Sequence, residues 1–384
     1  MRRREFIALL GSGVTGWSLA AWAQQGGRGR RIVALMSMAA DDPEAQPRVA
    51  AFESGLRELG WLEGRNLQIE YRWVSDGDLL RRNAAELART PPDLILATST
   101  PVMAALREQG LSVPIMFVQV TDPVGQGLVP NLARPGGHIT GFINFEFSIG
   151  TKWLETLKQI APRVTRVALI YNPETAPHAD LFQRPVEAAA PAFAVTPITV
   201  AARSAAELER AVDAFARTPT GGLLVLPDVT NLIHRDQIIA LAARHRLPAV
   251  YPYRYYAASG GLLSYGSEQT DVFRRAASYV DRILKGTSPG ELPVQAPTKY
   301  ELVINLKTAN ALGLEVPPML IARADFVLDQ KKLAAFSAAA GGRVTICALV
   351  GRRAVGFFLV DLGGGCGLIS MNVKWFTHAT IKLA

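Results

Sequence analysis

Polar side chains suited to ligand binding recur at one place in the local pattern, just after short apolar runs. Ser37 and Met38 follow the run Arg31–Met36, with Asp41-Asp42 close behind. Thr98-Ser99-Thr100 follow Asp93–Ala97 and lead into Pro101. Thr121-Asp122-Pro123 follow Pro114–Gln119. Asn172-Pro173-Glu174 follow a run that ends in Tyr171, and Pro227-Asp228-Val229-Thr230-Asn231 follow Gly222–Leu226. Tyr253 and Arg254 follow Ala249–Tyr251. Hydroxyls beside the free N–H groups of a helix start accept an anion such as a carboxylate, and Pro101 suits a first helical position. Plain N-capping explains Thr98, Ser99 and Thr100 equally well, and turn chemistry explains each of the other clusters. Their recurrence after most of the runs, with tyrosines among them, favours a polar and aromatic cleft.

Catalytic patterns are missing. The chain has no G-x-S-x-G elbow, no phosphate-binding P-loop and no H-E-x-x-H pair. Gly136, Gly137 and Gly141 do not follow a strand in the dinucleotide-binding layout. The five histidines are spread out, and His234-Arg235-Asp236, adjacent in a helix, cannot face one another. No C-x-x-C or His/Cys cluster has metal-ligand spacing, so neither a metal nor a cofactor is expected. The two cysteines, Cys347 and Cys366, fall in the last forty residues, as a disulfide or as two free thiols.

The elements that must position the polar clusters alternate. Arg31–Met36 reads as a buried strand, Pro47–Leu59 as a helix with apolar Val49, Phe52, Leu56 and Leu59, and Leu67–Tyr71 as a strand. Leu79–Ala88 (helix), Asp93–Ala97 (strand), Pro101–Gln109 (helix) and Pro114–Gln119 (strand) continue the series. The pattern restarts with helix Thr151–Ile160 and strand Arg166–Tyr171. Helix Pro185–Ala192, strand Ala194–Val200, helix Ala205–Arg217, strand Gly222–Leu226, helix Arg235–His245 and strand Ala249–Tyr251 follow. Such alternation predicts parallel sheets covered by helices on both faces. Two successive units, joined through the breaker-rich segment Leu132–Phe142, predict an α/β protein of two doubly wound lobes with a hinge and an interlobe cleft.

Arg2-Arg3-Arg4, the apolar stretch Phe6–Ala20 and the triplet Ala21-Trp22-Ala23 have the layout of an export signal over residues 1–23. Arg3-Arg4 followed by Phe6-Ile7 fits the twin-arginine form, and an Arg-rich general secretory signal is the alternative. The expected location is the periplasm. The formal net charge is +8; losing residues 1–23 removes three Arg and one Glu and leaves +6. The basic residues are scattered without clustering, so no nucleic-acid partner is expected.

Several segments in order carry a family resemblance. They are Thr121-Asp122-Pro123-Val124, Leu132–Gly141, Lys152-Trp153-Leu154-Glu155, Tyr171-Asn172-Pro173, Gly260–Gly266, Tyr279–Gly286, Leu292-Pro293-Val294 and Glu301–Leu306. Over about residues 31–329 the chain resembles the ABC transporter substrate-binding proteins related to the tryptophan/tyrosine-type binding protein. His138 departs from the Asn usual in that family. The resemblance implies a type I periplasmic-binding-protein fold, no enzymatic activity, an amino acid or similar small polar ligand, a membrane permease as partner and a monomer. It implies a first lobe of residues 31–141 plus 261–290, with Leu262–Tyr265 as a strand and Asp271–Lys285 as a helix, and a second lobe of 142–260 plus 291–329. By position, Thr98, Ser99 and Thr100 would hold the ligand carboxylate, Asp122 or Asp228 its ammonium, and Tyr171, Tyr253 or Tyr265 would wall it. Ser37, Thr121, Asn172, Thr230 and Asn231 complete the candidate set.

The resemblance ends near residue 329. Residues 330–384 hold two apolar runs too short to span a membrane, which needs roughly 18 residues or more. They are expected to be an addition without a fold of its own, with an extra β-hairpin as the alternative. Besides the transporter-linked receptor, two function classes fit the same cleft: a receptor that presents its ligand to a sensor kinase, and a periplasmic α/β enzyme.

Overall fold

A computed structural model of the chain describes residues 29–74 and 76–328, together with the strands Val355–Asp361 and Cys366–Asn372. The expected export signal, residues 1–23, lies outside the described residues, as does Cys347.

The first lobe begins with β1 (Arg30–Met36), α1 (Ala45–Glu58), β2 (Leu67–Trp73), α2 (Gly77–Arg89), β3 (Leu94–Thr98), α3 (Thr100–Glu108), β4 (Ile115–Val120) and β5 (Ile139–Ile143). Its five strands are parallel in the order β2-β1-β3-β4-β5. The inner strands are buried over most of their length and mainly apolar there, because helices cover both faces. Local chemistry sets the helix starts. Asp76, for example, accepts the Leu79 N–H at 2.7 Å and caps α2.

The second lobe follows with α4 (Ile149–Ile160), β6 (Arg166–Tyr171), α5 (Ala179–Ala189), β7 (Thr196–Ala201), α6 (Ala205–Ala216), β8 (Gly221–Val225), α7 (Val229–Ile233), α8 (Arg235–Arg244), β9 (Ala249–Tyr251), α9 (Arg254–Ala258) and β10 (Leu263–Ser267). The chain then crosses to the first lobe as α10 (Gln269–Leu284) and returns as β11 (Tyr300–Asn305), α11 (Leu306–Ala311), α12 (Pro318–Arg323) and β12 (Phe326–Leu328). The second sheet runs β12-β11-β10-β9-β8-β6-β7, with β11 antiparallel to β10. Its core gathers Phe145, Trp153 and Phe182 on one face, and Trp153 Nε1 donates to the Tyr265 carbonyl at 2.7 Å.

Three details differ from the sequence reading. Strand β10 was expected in the first lobe, yet it lies between β9 and β11 in the second sheet. Only α10 goes to the first lobe, where Val272, Phe273, Ala276, Ala277 and Val280 pack with Phe52 and Leu56 of α1. The two helices approach closely at Gly55, where a Cβ would come within 2.8 Å of the Ala277 Cβ. Second, Phe142 and Ile143 belong to β5, so the first crossing follows Ile143. The returning chain also lines the first lobe before leaving it: Ile143 N donates to the Gln295 carbonyl and Gln295 N to that of Gly141, both at 2.9 Å. Third, α5 starts six residues before the expected Pro185 and carries that proline inside it.

In the C-terminal segment, β13 (Val355–Asp361) and β14 (Cys366–Asn372) pair antiparallel as a separate two-stranded sheet. That corrects the expectation of a segment without fold. Runs such as Val355-Gly356-Phe357-Phe358-Leu359-Val360 are rich in residues that favour strands. The other apolar run of this segment, Val344–Val350, lies outside the described residues.

Candidate ligand-binding cleft

The carboxyl ends of both sheets face one another. In the first lobe Thr98 ends β3, and its hydroxyl is fully used within the lobe, accepting the Ser37 N–H at 2.8 Å and donating to the Leu35 carbonyl at 2.9 Å. Thr98 therefore fixes where Ser37 sits and is not free to hold a ligand. The Thr100 hydroxyl accepts the Thr121 N–H at 3.3 Å. Ser99, between them, has φ of +90° and its hydroxyl is buried without a partner among the described residues. Gln119 (φ +59°) and Asp122 (φ +50°) also adopt the left-handed region. Three of the six non-glycine residues in that region, among the described residues, thus ring one set of strand ends. Strained backbone of this kind persists where a site requires it.

In the second lobe Asp228 ends the loop after β8 and caps α7. Its carboxylate accepts the N–H of Asn172 at 2.6 Å, the N–H of Thr230 at 2.9 Å and the Thr175 hydroxyl. Burial raises its pKa against the pull of these three bonds. Asn172 donates to the Thr230 hydroxyl at 3.0 Å, and Asn231 donates to the carbonyls of Ile170 and Leu226, each at 3.0 Å. Asn172, Thr230 and Asn231 therefore lock the loop that carries Asp228.

Between the lobes is an inner cavity of about 50 Å³. Of the expected residues, Ser37, Ser99, Thr100, Thr121, Asp228 and Tyr253 line it. Thr98, Asn172, Thr230 and Asn231 stand behind the wall as braces. The others lie elsewhere. Asp122 turns its carboxylate to the Gly125 N–H at 2.9 Å. Tyr171 packs on the second-lobe core, and Tyr265 stacks on Tyr300 with centroids 5.9 Å apart. A wider space of about 420 Å³ adjoins the cavity; Thr100, Pro101 and Thr175 line both, and Arg81, Arg107 and Glu174 flank the outer one.

The structure adds Gln119, Asn144, Thr175, His178 and Tyr255 to the wall. His178 is buried with both ring nitrogens unpartnered among the described residues. Burial pushes its pKa down to about 4 against the attraction of Asp122 and Asp180, so the ring is neutral at physiological pH. Tyr255 stacks on Tyr253 with centroids 5.3 Å apart, and its hydroxyl is buried without a partner among the described residues. Ser99, His178 and Tyr255, each with a polar atom unsatisfied among the described residues, thus stand in the wall of one cavity. Buried polar groups are almost always paired, so such a cluster has the chemistry to receive a polar guest. The run Tyr251-Pro252-Tyr253-Arg254-Tyr255-Tyr256 signalled an aromatic wall; nothing local signalled His178. The lobes also touch directly: Arg235 Nη1 donates to Asp42 Oδ2 at 2.8 Å.

Residues 34–328 match the family described as ABC transporter substrate binding protein. The chain belongs to that family. Its members are solute-binding proteins, not enzymes; they act outside the cytoplasm and work with an ABC transporter. A tyrosine-binding protein of Clostridioides difficile is 25% identical over 289 residues, 73% of this chain and 80% of the relative. A conserved domain protein of Vibrio cholerae has a solved structure with a TM-score of 0.72 and 27% identity, covering 78% of this chain and all of the other. An ABC domain of Streptococcus pneumoniae in complex with L-Trp gives a TM-score of 0.71 at 22% identity, again covering 78% of this chain and all of the other. These likenesses and the two facing sheets give the type I periplasmic-binding-protein fold. Among the described residues, no helix is long and apolar enough to cross a membrane, and no group of His, Cys, Asp and Glu could hold a metal ion.

Proposed function

We propose that this protein is the extracytoplasmic receptor of an ABC importer and that it captures a small polar ligand, an amino acid or a related compound, between its lobes by hinge closure. The observation that carries this reading is the set of unsatisfied polar atoms from both lobes around one cavity: Ser99 from the first, His178 and Tyr255 from the second. A catalytic site would need a nucleophile and base within hydrogen-bond reach; a capture site needs donors and acceptors left open for its guest. The tyrosine-binding relative supports the amino-acid class. At about 50 Å³ the inner cavity is too small for an amino acid, since a cavity of about 150 Å³ is what takes up a molecule the size of benzene. A ligand of amino-acid size therefore enters when the lobes part, and the three crossings between them supply the hinge. Export through the signal at residues 1–23, release into the periplasm as a monomer and delivery to a membrane permease belong to the same proposal.

The test is mass spectrometry of small molecules that co-purify with the protein, followed by a thermal-shift panel of amino acids and related compounds. One compound class should raise the melting temperature with concentration, by about 2.7 kcal/mol of added stability at a hundred times Kd. Chemical turnover of the bound compound, or a flat response across the panel, would rule the reading out.

A further inference from the structure

The first lobe buries a cation that the chain leaves without an acid. Arg48 of α1 is only 1% exposed. Among the described residues its guanidinium has one hydrogen bond, from Nη1 to the neutral Gln119 Oε1 at 3.2 Å, while Nε and Nη2 have none. Arg235 across the cleft differs, since Asp42 neutralises it. Arg48 lies one turn before Phe52 on the stripe that α1 buries, where an apolar side chain would pack without the desolvation cost of a charge. Buried charges are ordinarily paired, so a partner from outside the chain is the simplest account of this one.

The free atoms say what that partner is. Nε and Nη2 form one edge of the guanidinium, with two parallel N–H groups that match the two oxygens of a carboxylate. The head group sits between two cavity-wall residues, bonded to Gln119 and 6.0 Å from the centroid of the Tyr255 ring. Tyr255 comes from the second lobe and brings its own unpartnered hydroxyl. Parting of the lobes therefore uncovers the guanidinium toward the cleft. We infer that Arg48 is the anchor for a carboxylate on the cleft ligand, gripped bidentately by Nε and Nη2. This places the anion away from the hydroxyls of Thr98, Ser99 and Thr100, of which Thr98 is committed to Ser37 and Leu35. The ligand class becomes small carboxylates, amino acids and organic acids together. The inference rests on the solute-capture reading, and its test separates the two.

The full chain and its Arg48→Gln and Arg48→Met variants are screened by thermal shift and calorimetry against the L-amino acids, small mono- and dicarboxylates, and the carboxamide of each. The expected result is that the stabilising compounds carry a carboxylate, that their amides bind at least about 30-fold more weakly, and that Arg48→Gln loses a similar factor. Free Arg48→Met should melt no lower than the parent, because an uncompensated buried charge has been removed. Binding with no preference for acid over amide, or unchanged affinity in Arg48→Gln, overturns the anchor and leaves the solute-capture reading standing. If nothing binds the parent, the capture reading fails and the anchor, which rests on it, falls with it.

Discussion

The pair between Arg235 and Asp42 joins the lobes and gives a direct handle on closure. Their side chains are 17% and 10% exposed and meet at 2.8 Å. Two unit charges 4 Å apart interact by about 4 kcal/mol at an effective dielectric constant near 20. Exposed pairs contribute only about 0.2–1 kcal/mol, while removing one partner of a fully buried pair costs about 3–5 kcal/mol. Partial burial puts this one between those limits, at about 1.5 kcal/mol of coupling. Because the contact exists only when the lobes meet, its loss should lower the closed-to-open ratio about tenfold. The experiment is a double-mutant cycle of Asp42→Asn and Arg235→Gln, read by hydrogen exchange over Tyr253–Ala257, a segment of the cleft wall, and by small-angle scattering. Exchange there should quicken about tenfold in either single variant, with little further change in the double. Unchanged exchange and scattering, or additive effects of the two substitutions, would refute the assignment of this pair as an interlobe clasp.

Other outcomes follow from buried groups. Glu301 on β11 is pushed up to about 7 by burial, with Glu268 and Asp325 adding to the effect and Arg254 and Lys299 opposing it. An acid whose folded pKa is raised contributes stability at low pH that is lost as pH climbs toward 7. Glu301→Gln should therefore melt higher than the parent at pH 8 and close to it at pH 5, a difference that calorimetry at the two values checks. His178 has the opposite sign: with a folded pKa of about 4, its neutral form adds stability above the usual histidine value that is lost as pH falls toward 4. Its imidazole resonances should not titrate between pH 5.5 and 8, and titration near 6.5 would mean that the ring is solvated. Gly55→Val should destabilise the first lobe by about 1–3 kcal/mol through overpacking against α10, because its Cβ would meet both the Ala277 Cβ and the Arg274 carbonyl at 2.8 Å. Urea unfolding measures that cost, and an unchanged midpoint would show that the helices can separate freely.

Much of this fold is written in local periodicity. Most of the strands from β1 to β9 and of the helices between them follow from apolar runs and stripes, which depend only on near neighbours; β5 is the exception, since it lies in the glycine-rich segment Leu132–Phe142 that reads as a connection. The polar clusters after those runs were legible for the same reason, since a strand end and a helix start impose their own residue chemistry. Arg48 was partly legible too, as a charge four residues before Phe52 on an otherwise apolar stripe.

The division of labour within each cluster was not legible. Thr98 and Ser99 are neighbours with similar side chains, but Thr98 is consumed by Ser37 and Leu35 while Ser99 is left open. Asp228 and Asp122 follow similar runs, yet one reaches the cavity and the other closes its own turn. His178 has no local mark at all and gains its role from the lobe opposite. Strand β10 has the apolar run of any buried strand, and only its pairing with β9 and β11 decides which sheet receives it. The sequence by itself determined which segments are strands and helices and that their ends carry polar groups, because those choices are made by neighbours along the chain. The tertiary structure decided which polar atoms are spent on the fold and which stay free for a guest, because a hydrogen bond is filled by whatever lies next to it in space.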